Sequence, residues 1–112
     1  MRYLLLIYTD PEAMPEGGTA SMEDWVAYTE ELRAAGVVLG GDPLEGADMA
    51  TTVRVRGGER LTTDGPFAET KEILGGYYMI DVDGLDEALA WAAKMPNITY
   101  GSVEVRPVMD FP

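Results

Sequence analysis

Asp64 ends an alternating segment, is followed by Gly65-Pro66, which fixes the backbone of a turn, and has Phe67 near enough in sequence to shield it. Partial burial disfavours a charged carboxylate and suits it to proton transfer, so Asp64 is the candidate catalytic residue. A structural reading competes: Asp before Gly readily opens a turn by accepting backbone N–H bonds. Carboxylates carry this weight because the chain has no histidine and no cysteine, which removes the commonest general base, thiolate nucleophiles and zinc–thiolate centres. Tyr8, Tyr77, Tyr78 and Trp25 bring phenols and an indole towards an interior, and an aromatic wall with a few polar tips suits a small cyclic ligand. Core packing explains most of these; Tyr8 and Tyr78, with Phe67, are retained as candidate ligand contacts. Lys71, flanked by Glu69 and Glu72, could neutralise a carboxylate or orient an anionic group, although a solvated charged face is the plainer reading. Arg54 belongs with Arg56 and Arg60 to a cluster holding three of the six arginines within seven residues. Such a cluster could grip a carboxylate or phosphate, whereas a projecting hairpin also uses arginine to discourage edge pairing.

No metal or cofactor is expected. Asp81-x-Asp83-Gly84 with Asp86 and Glu87 holds only part of a calcium-loop pattern and reads better as acids at a helix N-terminus. There is no phosphate-binding loop, no Gly-x-Gly-x-x-Gly after a strand and no Gly-x-Ser-x-Gly, so nucleotide binding and serine hydrolysis are unsupported.

These side chains must be positioned by a chain of 112 residues with 20 acidic and 8 basic groups, a formal net charge of −12. The length suits one domain, residues 1–112, and 46% hydrophobic with 25% charged residues is an ordinary globular composition. So negative a chain is a poor fit for nucleic acid or an anionic membrane. The apolar run Tyr3–Tyr8 is too short for a signal-peptide core or a bilayer span, so a cytoplasmic protein is expected. Without secretion, Asn97-Ile98-Thr99 has no meaning as a glycosylation site.

The same run is unbroken rather than alternating, which predicts a central strand buried on both faces. A loop, 10–20, leads to Ser21 and Asp24, spaced as a capping-box relative, and a helix to about Ala35 with Met22, Trp25, Tyr28 or Thr29, and Leu32 on its apolar side, ended by Gly36. Val37–Leu39 reads as a strand stopping at Gly40-Gly41, before a loop over 42–50. Thr51–Arg56 and Glu59–Thr63 read as a hairpin about Gly57-Gly58. Tyr77–Val82 is a strand after the Gly75-Gly76 pair; Leu85–Lys94 is a helix with Leu85, Ala88, Leu89 and Ala92 inward, stopping before Pro96. Ser102–Val108 is the last strand. The order is a ferredoxin-like βαββαβ plan, α+β in class, with an inserted hairpin. Two helices cover one sheet face, yet the first strand is apolar on both and the other strands give a mixed second face carrying Tyr and Met, which predicts a homodimer packed sheet against sheet.

Thr62-Thr63-Asp64-Gly65-Pro66-Phe67-Ala68-Glu69-Thr70-Lys71-Glu72 followed by Gly75-Gly76-Tyr77-Tyr78 resembles the signature of the DGPF-domain branch of the YCII-related proteins. Tyr3–Tyr8, Glu31–Gly36 and Val103–Val108 extend the resemblance over nearly the whole chain. It implies a dimeric α+β barrel and, from relatives, chemistry on small cyclic or hydroxylated substrates: proton transfer, isomerisation or elimination. The His-Asp pair implied for better-studied members would fall near Trp25 and Met95, and both polar groups are missing here. The resemblance also implies a second role, as a non-enzymatic interaction module linked to an extracytoplasmic-function sigma factor.

Overall fold

The computed structural model describes residues 1–13, 15 and 17–111; two positions of the predicted 10–20 loop, 14 and 16, lie outside that set. The chain runs β1 (Arg2–Thr9), α1 (Met22–Ala34), β2 (Val38–Pro43), a single 3-10 turn (Ala47–Met49), β3 (Thr51–Arg56), β4 (Glu59–Asp64), β5 (Ile73–Asp81), α2 (Leu85–Ala93) and β6 (Gly101–Pro107). A four-stranded sheet has the order β2-β5-β1-β6, all neighbours antiparallel, and β3 and β4 form a separate two-stranded sheet. This is the predicted ferredoxin-like α+β plan with its inserted hairpin.

Local chemistry sets the element ends. Ser21 Oγ accepts from the Asp24 amide at 3.2 Å while Asp24 Oδ2 accepts from the Ser21 amide at 2.9 Å, a complete capping box that satisfies two amides at the start of α1. Gly36 at φ +72° turns the chain out of that helix, and Gly57 and Gly58, at +59° and +78°, make the tight turn between β3 and β4.

The core lies between the sheet and the two helices. Leu5, Leu32 and Ile80 have no exposed surface, and Tyr3, Ile7, Tyr28, Val37, Val82, Ala88 and Met95 complete the cluster. Along β1 burial alternates, with Tyr3, Leu5 and Ile7 buried and Leu4, Leu6 and Tyr8 half-buried. The expected burial of β1 on both faces is therefore corrected within one protomer: the helices cover a single face. On α2 the inward positions are Ala88 and Ala92, with Trp91 packed against the core, while Leu85 and Leu89 remain about half exposed. Two small residues one turn apart let the helix approach the sheet closely, which leaves the leucines at its flanks.

Two boundaries differ from expectation. β2 continues through Gly40-Gly41 to Pro43, and β5 begins at Ile73, so both glycine pairs lie inside strands. Glycine retains its backbone donor and acceptor, so the ladder passes through it; irregularities between Val38 and Gly40, and between Ile7 and Tyr8, absorb the extra residues.

Candidate functional site

The two glycine pairs border a cavity beneath α1. On the helix-facing side of the sheet, Gly76 lies opposite Ile7 and Gly41 opposite Tyr78, positions where neighbouring strands approach too closely for a larger side chain to be added freely. Larger residues are barred at Gly41, since an added Cβ would come within 2.6 Å of the Tyr77 carbonyl oxygen and 2.7 Å of the Tyr78 ring. The cavity, of about 510 Å³, is walled by Met22, Trp25 and Val26 of α1 and by Ile7 and Tyr78 of the sheet, with Glu30 and Arg33 at its rim.

Its polar groups are few and connected. The Tyr78 and Thr29 hydroxyls are 2.6 Å apart, and Thr29 Oγ1 also donates to the Trp25 carbonyl one helical turn back at 2.9 Å. With the threonine proton so engaged, Tyr78 donates to Thr29 and its own oxygen keeps lone pairs to accept from another group. The Tyr28 ring meets Tyr78 edge-on at 5.6 Å, and its hydroxyl donates to the Trp91 carbonyl at 2.8 Å. Burial foremost, then Tyr78 and Glu31, push the Tyr28 phenol well above its ordinary range, so it stays protonated and neutral at physiological pH. At the rim Arg33 Nη1 reaches Glu30 Oε1 at 2.6 Å, both side chains exposed.

A second, more polar cleft of about 680 Å³ lies at the end of β1 and contains Tyr8, Asp10, Lys71, Glu72, Ser102 and Glu104. Asp10 is buried; its Oδ1 accepts from the Glu12 amide at 2.9 Å and its Oδ2 faces Lys71 Nζ at 3.4 Å. Ser102 Oγ donates to Glu72 Oε1 at 2.8 Å.

The residues singled out in the sequence fall into three places. Tyr78 lines the apolar cavity on the helix side of the sheet, while Tyr8 and Lys71 share the polar cleft. Arg54, Asp64 and Phe67 belong to the hairpin and its root, where Arg54 Nη2 donates to the Phe67 carbonyl at 3.0 Å. Asp64 is exposed and Phe67 is 76% exposed, so the partial burial expected to hold a proton on Asp64 is absent and Phe67 does not shield it. A single protomer thus does not gather Tyr8, Asp64, Phe67 and Tyr78 into one pocket; the hairpin carries its share away from the sheet. Lys71 finds Asp10 rather than its sequence neighbours Glu69 and Glu72. Sequence reasoning missed Thr29 as a polar partner, Asp10 and the glycine floor. The Trp25–Thr29 spacing of one helical turn was a usable signal for the first.

Among the described residues, no group of three or more Asp or Glu side chains could hold a metal ion, and no helix is long and apolar enough to cross a membrane.

Fold and cavity together define an α+β protein of ferredoxin-like topology with an open-mouthed cavity of small-molecule size beside its sheet. A family model for the YCII-related domain matches residues 1–112, and the chain belongs to that family. An uncharacterized protein of Rhizobium meliloti (strain 1021) is 39% identical over 114 aligned positions, covering 96% of this chain and 92% of that one. Among solved structures, 5-chloro-2-hydroxyhydroquinone dehydrochlorinase (TftG) from Burkholderia phenoliruptrix AC1100, in complex with 2,5-dihydroxybenzoquinone, superposes with a TM-score of 0.56 at 14% identity. That match covers 97% of this chain and 94% of the dehydrochlorinase, a likeness of fold.

Proposed function

We propose that the protein binds a small, planar, hydroxylated ring compound in the cavity between α1 and strands β2 and β5. The observation that carries this reading is the pairing of apolar walls with the Tyr78–Thr29 hydroxyl pair: the walls remove a flat ring from water, and the phenol oxygen accepts from a ring hydroxyl. The bound quinone named for the structural neighbour belongs to the same chemical class. For proton transfer, isomerisation or elimination on such a ring, Tyr78, held by Thr29, would orient a ring hydroxyl, and the proton would pass to solvent at the mouth of the cavity. Asp64 enters this chemistry only if the hairpin is brought to a cavity by a second subunit.

The reading includes a homodimer. Ladder register puts Leu4, Leu6, Tyr8, Leu74, Tyr77 and Met79 on the sheet face away from the helices. That stripe is flanked by Arg2 beside Asp81 and by Glu104 beside Arg106, a mixture of signs suited to meeting its own two-fold copy.

A thermal-shift screen of hydroxylated aromatics and quinones tests the cavity. Ligand at a hundredfold its dissociation constant stabilises by about 2.7 kcal/mol. The expected result is a shift in wild type that Tyr78→Phe and Trp25→Ala reduce and Asp64→Asn leaves intact. A response lost in Asp64→Asn alone, with stability unchanged, would move the chemistry to the hairpin. No response from any compound would favour the interaction-module reading over ligand binding.

A further inference from the structure

We infer that the β3–β4 hairpin of one protomer docks on the acidic body of a second copy of this chain, an extension of the dimer proposed above and resting on it. The first observation is the pairing of charges. Every basic side chain outside the hairpin has a carboxylate partner: Arg2 with Asp110, Arg33 with Glu30, Lys71 with Asp10, Lys94 with Glu31 and Arg106 with Glu104. The hairpin's Arg54, Arg56 and Arg60 have none among the described residues; Arg54 and Arg56 donate only to backbone carbonyls, at Phe67 and Val55. Residues 51–64 hold three of the eight basic groups and two of the twenty acidic ones, which leaves five basic against eighteen acidic in the rest of the chain. An arm of positive sign thus extends from a strongly negative body whose own carboxylates it does not meet.

The second observation is packing. Among the described residues β3 and β4 pair only with each other, and their exposed aliphatic groups divide between the two faces: Val53 and Val55, each 59% exposed, share a face with Arg60, and Leu61, 44% exposed, shares the other with Arg54. A two-stranded hairpin with solvent on both sides is marginal by itself, so a surface that covers Val53 and Val55 also stabilises the arm. The radius of gyration, 16.0 Å, exceeds the roughly 13 Å usual for a compact chain near this length, in keeping with an element held clear of the body.

The partner that fits is therefore acidic and offers apolar surface between its carboxylates. A second copy meets both conditions, and two-fold symmetry engages both arms at once. A nucleic acid would meet the arginines but would be repelled by the body, which carries most of the surface charge.

The test uses the full-length chain. Because the protein lacks cysteine, Val55→Cys introduces a unique thiol on the arm for a benzophenone photo-crosslinker, used in a mixture of isotopically heavy and light protein. The expected result is a dimer in sedimentation whose heavy–light crosslinks join the arm to body residues. The triple variant Arg54→Glu/Arg56→Glu/Arg60→Glu, checked for fold by circular dichroism, should weaken the dimer about tenfold or more at low salt, consistent with loss of several exposed ion pairs. A wild-type dimer with crosslinks confined to one chain overturns the arm inference and leaves the sheet-to-sheet dimer standing. Wild type that sediments as a monomer at all concentrations overturns both. Should the triple variant unfold, the crosslink pattern on the otherwise wild-type chain still decides.

Discussion

Leu32 on α1 and Val55 on β3 are both aliphatic side chains, yet Leu32 has no exposed surface and Val55 keeps 59% of its own. The contrast extends to their surroundings. Around Leu32 the sheet and both helices supply apolar neighbours, and nearby charged groups are paired. Around Val55 there is one strand partner, open solvent and arginines with no carboxylate partner among the described residues. The body thus packs its core between sheet and helices and leaves one sheet face open, while the hairpin pairs its two strands along their inner edges but lacks packing. The same sequence rules produce both: alternation and a tight turn suffice to pair two strands, but only a third layer can bury them.

The largest expected effect lies in the body. Leu32→Ala should lower unfolding free energy by about 2–5 kcal/mol in urea titration; a loss below 1 kcal/mol would mean that α1 is far less tightly held than its burial implies. Next is Tyr28→Phe, which removes the phenol's bond to the Trp91 carbonyl, leaving it only the Lys94 amide, and should cost about 1 kcal/mol. Tyr28 also sets a pH dependence. Its phenol is raised above the ordinary value of 10.0 by burial, Tyr78 and Glu31, so the folded state holds that proton more tightly than the unfolded state. The resulting stability is complete below pH 10 and is lost as pH rises beyond it. Denaturant midpoints measured from pH 8 to 11 should therefore fall more steeply in wild type than in Tyr28→Phe.

Of similar size, Ser21→Ala removes one half of the capping box and should cost about 1 kcal/mol, visible as a fall in melting temperature. Val55→Ala sharpens the comparison from the other side. At a dilution that separates any dimer it should change stability by less than about 0.5 kcal/mol, and a larger loss only at high concentration would locate the missing packing in a second copy.

How much of this was legible in the sequence depended on whether the signal was local. The Ser21–Asp24 box, the Gly36 stop and the Gly57-Gly58 turn are set within a few residues, and each came out as read. The order of elements along the chain followed from the alternation of helical and strand periods. The ends of β2 and β5 were misplaced because Gly-Gly was taken as punctuation, whereas here the neighbouring strands hold the glycines in the ladder. The site was less legible for the same reason. A cavity bordered by glycines on two strands is visible only when both strands and the helix above them are known, and no single window contains Gly41, Gly76 and Trp25. Asp64 drew notice through its Gly-Pro context, but the hairpin it belongs to leads it outward, a consequence of tertiary placement rather than of local pattern.

The cavity beneath α1 is walled by the same layer that forms the core, Ile7 and Tyr78 of the sheet and Trp25 of the helix. If the proposed ring compound binds there, it would add dispersion contacts to that layer. Folding stability would then report on the surrounding chemistry, and lifetime against proteolysis in a cell would rise and fall with the concentration of the ligand.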